Sequence, residues 1–142
     1  MIVADPSLYP DGVVVQVPAA TYQLQFRIFN ESGFAMVSQL RAFCRSGGAR
    51  GASLGEVSVD FARMGVGDNL ELAKVTQAIT PEMAEPIWAS LETENRWGIV
   101  PWSPNVTMPF VVPGDGDGSY EVFELVDEHG RLGVQIDFLP TN

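Results

Sequence analysis

Apolar and polar residues alternate one for one along much of this chain. In TYQLQFRIFN (21–30), Tyr22, Leu24, Phe26 and Ile28 are interleaved with Gln23, Gln25 and Arg27, the two-residue period of a strand buried on one face. EVSVDFARM (56–64) repeats the pattern with Val57, Val59 and Phe61. YEVFELVDE (120–128) and RLGVQIDFL (131–139) read as two strands of a hairpin that turns at Glu128, His129 and Gly130. GVVVQV (12–17) and LELAKVTQAI (70–79) complete the predicted strands.

Two segments break the alternation. FAMVSQLRAFC (34–44) fits a helical stripe through Met36, Val37, Leu40, Phe43 and Cys44, and it also fits a strand. Its glycine-bounded, strand-rich neighbourhood tips the reading to strand. TPEMAEPIWASLETEN (80–95) carries the helix signal. Thr80 suits the N-cap, Pro81 the first helical position, and Glu82 and Glu85 the positive end of the helix dipole, with a stripe through Met83, Ile87 and Leu91. Pro86 shortens or kinks that helix.

Between these elements lie RSGGARGASLG (45–55), read as a flexible glycine loop, and PGDGDGS (113–119), read as a turn. Residues 1–11, polar and marked by proline, are expected to be an extended arm. WGIVPWSPNVTMPFVVP (97–113) is apolar yet holds Pro101, Pro104, Pro109 and Pro113, each lacking a backbone donor. It is expected to be an extended, polyproline-like arm and not a central strand. Such an arm has three uses: closing the domain's own open end, anchoring on a partner through Trp97, Trp102 and Phe110, or stacking a ligand. The expected fold is mainly β, a single-domain sandwich or barrel over 1–142 with one short helix at about 80–95 and the proline-rich arm.

The chain has 142 residues, of which 46% are hydrophobic, enough to build a core. No apolar run reaches the length of a membrane-spanning helix, and MIVADPSLYP lacks the basic and apolar regions of a secretory signal. These leave the location unassigned: the cytoplasm, a virion and a mature secreted form all fit. The net charge is −10, and it is unevenly placed. Residues 1–63 hold five acids and five arginines, whereas 64–142 hold thirteen acids against Lys74, Arg96 and Arg131. The acidic half disfavours nucleic acid, while the asymmetry suits one face of a subunit meeting a different face of its neighbour.

Catalytic chemistry finds little footing. The one histidine, His129, falls in a predicted turn, and the one cysteine, Cys44, sits in apolar surroundings as a small hydrophobe. No zinc spacing or nucleophile elbow occurs. Asp115 to Glu121 has alternating oxygen ligands like a calcium loop, but Tyr120 and Val126 stand where that loop needs glycine and glutamate, so an acidic turn is expected.

Arg41-Ala-Phe-Cys-Arg45, followed by Asp60-Phe-Ala-Arg-Met-Gly65, resembles the RxxxR and D/NxSxxG motifs of PilZ domains, and RLGVQIDF (131–138) resembles their closing strand. Ala62 stands at the motif's serine. The resemblance implies a β-barrel binding cyclic di-GMP, with Arg41 and Arg45 clamping phosphate and stacking on guanine.

The leading expectation is a non-catalytic structural subunit of a multi-subunit particle, in its specific form a phage virion component such as a capsid-decorating or tail/neck protein. It needs no cofactor or metal, and its partners are itself or other subunits. Its expected interface residues are Trp97, Trp102, Phe110, Arg41, Arg45 and Arg50. The alternative is a small-ligand or cyclic-dinucleotide-binding barrel.

Overall fold

The computed structural model describes residues 1–4, 11–31, 33–60, 64–70, 97–103, 106–112 and 117–138. These form ten strands: β1 (Ile2–Ala4), β2 (Val13–Val14), β3 (Gln23–Glu31), β4 (Phe34–Phe43), β5 (Ala49–Val59), β6 (Met64–Gly67), β7 (Trp97–Ser103), β8 (Val106–Val111), β9 (Gly118–Asp127) and β10 (Gly130–Asp137). They assemble into two antiparallel five-stranded sheets, ordered β2-β1-β6-β8-β7 and β3-β4-β10-β9-β5. Neither sheet closes on itself, which makes the fold a β-sandwich and not a barrel.

The alternation seen in the sequence packs the two sheets together. From the first sheet, Val3, Met64, Val66 and Val111 enter a common core, flanked by Val13 and Val15. From the second come Val37, Leu40, Ala42, Val57, Val59, Tyr120, Val122, Val134 and Ile136. Each fully buried aliphatic side chain is worth roughly 1.5–3 kcal/mol relative to exposure, so this interlayer is the main source of cohesion. Tyr120 and Phe138 add an edge-to-face contact with ring centres 5.3 Å apart.

Residues 34–43 are a strand, as the glycine boundaries favoured. The β9–β10 hairpin forms across Glu128 and His129. Strand β10 carries a bulge at Leu132, and there Gly133 lies so close to β4 that a Cβ would run into the carbonyl oxygen of Ala42. Only glycine permits that approach.

Four expectations are corrected. The first concerns 97–113. Trp97–Ser103 and Val106–Val111 are strands that pair with each other, and β8 is internal to its sheet. The prolines are tolerated because of where they fall. Pro101 lies on β7, which has β8 as its one neighbour, and Pro109 lies one residue beyond the last β6–β8 pair, Gly65 with Phe110. Along each proline the ladder is therefore called on from one side only.

The second is the N-terminal arm. Ile2, Val3 and Ala4 form a strand between β2 and β6. All three are buried, so the first sheet is covered on both faces there. The third is the glycine loop, of which 49–55 belongs to β5, its glycines serving register shifts in the ladder. The fourth is 12–17, where the strand is Val13–Val14, followed by one further backbone exchange between Val15 and Met1. The predicted helix at 80–95 and most of the predicted strand at 70–79 lie outside the described residues, as does most of the 113–119 turn.

Candidate functional site

The second sheet differs from the first in one respect. Its inner face is core, and on its outer face Gln25, Arg27, Ser53, Glu56 and Glu121 are exposed around a buried centre of Gln39 and Gln135. Pleating sends Leu40, Ala42, Val134 and Ile136 inward, and so turns Gln39, Arg41, Gln135 and Asp137 outward. Register then lines up a row of Gln25, Arg41, Gln135, Phe123 and Ser53 across all five strands. The neighbouring row holds Arg27, Gln39 and Asp137.

At the centre of this face the polar groups satisfy one another. Asp137 accepts from Gln39 Nε2 (2.8 Å), Gln135 Nε2 (3.1 Å) and Arg50 Nη1 (3.1 Å). Gln135 also accepts from Arg41 Nε at 2.9 Å. Gln39 and Gln135 are 8% and 5% exposed, so these bonds remove a penalty that unpaired buried amides would carry. Arg50 lies over the Phe123 ring, its guanidinium carbon 4.5 Å from the centroid, a cation–π contact.

Towards the sides the charges lack ion-pair partners among the described residues. Arg27 on β3 is exposed and Arg41 on β4 is half-buried. Neither forms an ion pair among the described residues. On the opposite side, Glu56 of β5 stands directly across from Glu121 of β9, both exposed and also without an ion pair among the described residues. Like charges directly opposite in a ladder are unfavourable. The face therefore carries Arg27 and Arg41 along β3–β4 and Glu121 and Glu56 along β9–β5, with the Arg50–Asp137 ion pair reaching from β5 to β10 between them.

The four outer strands of the two sheets differ in how they end. β2 has two residues. β7 carries Pro101. β5 has two register shifts and Gly55 at φ +129°. Shortness, proline and bulges each blunt an edge against pairing with another chain. β3 is nine residues long without proline or glycine, and Arg27 is the only charge within its span before the terminal Glu31. It also outruns its sheet. The β10–β4 pairing ends at Asp137 with Gln39, whereas β3–β4 continues from Ile28–Val37 to Glu31–Phe34. Ser38 marks the junction as a bulged residue: its hydroxyl donates to Arg27 O (3.2 Å), and its carbonyl accepts from Phe138 N (2.8 Å). On this extension, two-stranded among the described residues, Ile28 is 36% and Phe29 45% exposed.

The remaining expected site residues are placed as follows. Arg45 is fastened to Asp127 by two hydrogen bonds, Nε to Oδ2 at 2.6 Å and Nη2 to Oδ1 at 2.8 Å. That clasp, assisted by the backbone N–H of His129, holds the Asp127 carboxyl well below the usual range. A phosphate ligand would have to displace Asp127 to use Arg45, and Arg41 already bonds Gln135, so the paired clamp suggested by the PilZ resemblance is occupied on both arms. Phe110 is 2% exposed, with its ring against Gly98. It belongs to the interior and is not displayed to a partner. Trp97 and Trp102 lie in β7, but their side chains are outside what the structure describes. His129 is solvated in the hairpin turn beside Glu128. Cys44 is half-buried and neighbours Tyr22, whose hydroxyl donates to Pro18 O at 2.6 Å. Burial first, and then Cys44, push the Tyr22 hydroxyl up to about 12. Tyr22 borders a half-open apolar cavity of about 420 Å³ with Val17, Leu24, Val66 and Pro109.

Sequence reasoning missed Asp137, Gln135, Gln39 and the Glu56–Glu121 pair. Their strand parity is readable, since each alternates with core residues, but which strands adjoin is not. No known protein family, characterised protein or solved structure matches the chain.

Proposed function

We propose that this protein is a non-catalytic structural subunit that works by associating with further subunits in a particle, a virion component being the specific form of that proposal. The observation that carries the reading is the contrast among sheet edges. Three of the four edges are blunted, while β3 is long, open among the described residues, and extended past its sheet with Ile28 and Phe29 exposed. A two-stranded ribbon is marginal in water by itself, and an open edge is a template for adding a strand from another chain. Soluble chains usually protect such an edge, so leaving it open suits a protein whose edge is covered in use.

The test is the mass in solution by light scattering. Wild type is expected at a multiple of 15.4 kDa. The double variant Ile28→Lys, Phe29→Lys is expected to lose the edge contact and fall to a lower multiple of that mass, with an unchanged far-ultraviolet dichroism spectrum, because both residues are exposed. A wild type that stays a single chain at high micromolar concentration overturns the proposal.

A further inference from the structure

We infer that the outer face of the β3-β4-β10-β9-β5 sheet is a two-fold interface, and that its partner is the same face of a second copy. This rests on the assembly reading above and adds a second surface to it.

Charge complementarity points to that partner. Along the sheet the unpaired charges run Arg27 on β3, Arg41 on β4, then Glu121 on β9 and Glu56 on β5, with the satisfied Asp137 cluster between them on β10. The pattern is antisymmetric about the central strand. Consider two such faces opposed across a two-fold axis that runs along the strands. That operation reverses strand order, so β3–β4 of one copy lies over β9–β5 of the other. Register sets Arg27, in the row of Gln39 and Asp137, over Glu56 of the other copy twice, once on each side of the axis, as an isologous contact requires, while Gln39 lies over Glu121. An axis across the strands would instead set arginine over arginine and glutamate over glutamate, so the charges select one of the two arrangements. Nearly aligned strands are also the ordinary geometry for one sheet packed on another.

The Glu56–Glu121 pair points the same way. In the isolated subunit the two carboxylates face each other across a ladder with no cation beside them among the described residues. An arginine from a second copy turns that local repulsion into an attraction.

The interface is tested by charge reversal, with dissociation constants from analytical ultracentrifugation. Arg27→Glu and Glu56→Arg are each expected to weaken the two-fold contact at least about tenfold, since each sets like charges together. The double variant Arg27→Glu, Glu56→Arg is expected to recover to within about threefold, because the reversed charges again face each other. Glu56→Arg gives a further readout. It replaces the repulsion of Glu121 inside one subunit with an attraction, so the dilute single chain should melt at a higher temperature while associating less well. A role confined to the subunit's own fold would not split the two measurements in that way. If Glu56→Arg associates as well as wild type, or if the double variant fails to recover although it is folded, the two-fold face is wrong. If wild type associates and only the Ile28→Lys, Phe29→Lys variant disrupts it, the assembly reading stands and this interface falls. A wild type that never associates removes both.

Discussion

Arg45 closes on Asp127 through two hydrogen bonds of 2.6 and 2.8 Å, tying the chain just beyond β4 to the end of β9. The same guanidinium reaches Gly130 O at 3.3 Å, so one side chain joins the 45–48 loop to both arms of the β9–β10 hairpin.

That relationship makes stability depend on acid. The Asp127 carboxyl is held below its ordinary value in the folded chain, mainly by the Arg45 hydrogen bonds. A depressed carboxylate contributes stability that is present above the unfolded value of about 4 and is lost as pH falls towards the folded value. Glu124, bonded by Arg131 and by the backbone of Ala52, acts in the same direction. The melting temperature should therefore decline progressively below pH 4, and the decline should be shallower in Asp127→Asn. Parallel curves for the two proteins would show that the clasp contributes nothing.

Gly133 gives a steric prediction. A Cβ there would lie 2.8 Å from the Ala42 carbonyl carbon and 2.9 Å from the Phe43 Cα, and backbone of an adjoining central strand has little room to give. Gly133→Ala is expected to destabilise by about 3 kcal/mol, the upper end of ordinary overpacking. Urea denaturation measures this, and a loss below about 1 kcal/mol would mean that β4 and β10 separate more readily than their register implies.

The nucleotide alternative is tested by calorimetry with cyclic di-GMP. Arg45 is engaged by Asp127 and Arg41 by Gln135, so no isotherm is expected at micromolar concentrations. A clear isotherm abolished by Arg45→Ala would establish a phosphate site despite those contacts.

His129 lies in the hairpin turn, its side chain 74% exposed. His129→Ala is expected to leave the melting temperature and solution mass unchanged, as exposed substitutions usually do. A shift in assembled mass would assign the turn to an interface.

Strand parity is readable from the sequence wherever a core side chain alternates with a polar one, as at Leu24–Phe26, Val57–Val59 and Val134–Ile136. The β9–β10 turn is readable from Gly130, whose φ is +109°. Proline misleads at 97–113, because a missing donor forbids a strand only where a neighbour asks for it, and that depends on which strand lies alongside. Glycine misleads at 49–55 for the converse reason: Gly51 and Gly55 sit within a paired but irregular strand. The candidate face is the least legible. Arg41 and Gln135, which touch at 2.9 Å, are 94 positions apart, and no local pattern announces that β10 enters between β4 and β9.

That last insertion governs the order in which the molecule can be made. Phe43 must wait for Gly133, ninety positions later, before its strand has a neighbour on that side. While the chain is being synthesised the β3–β4 hairpin is therefore born with two bare edges, and the inward side chains Leu40 and Ala42 have no opposing strand from β10. The β5–β9 ladder is in the same position, pairing Val57 with Tyr120. The second sheet thus cannot zip from one end of the chain to the other; it closes in a late event when β10 arrives in the middle. Nascent chains stalled before residue 130 should be held by chaperones or lost to proteolysis, and a chain tethered to the ribosome by an added C-terminal linker should acquire protease resistance in one step once the linker is long enough for β10 to clear the exit tunnel.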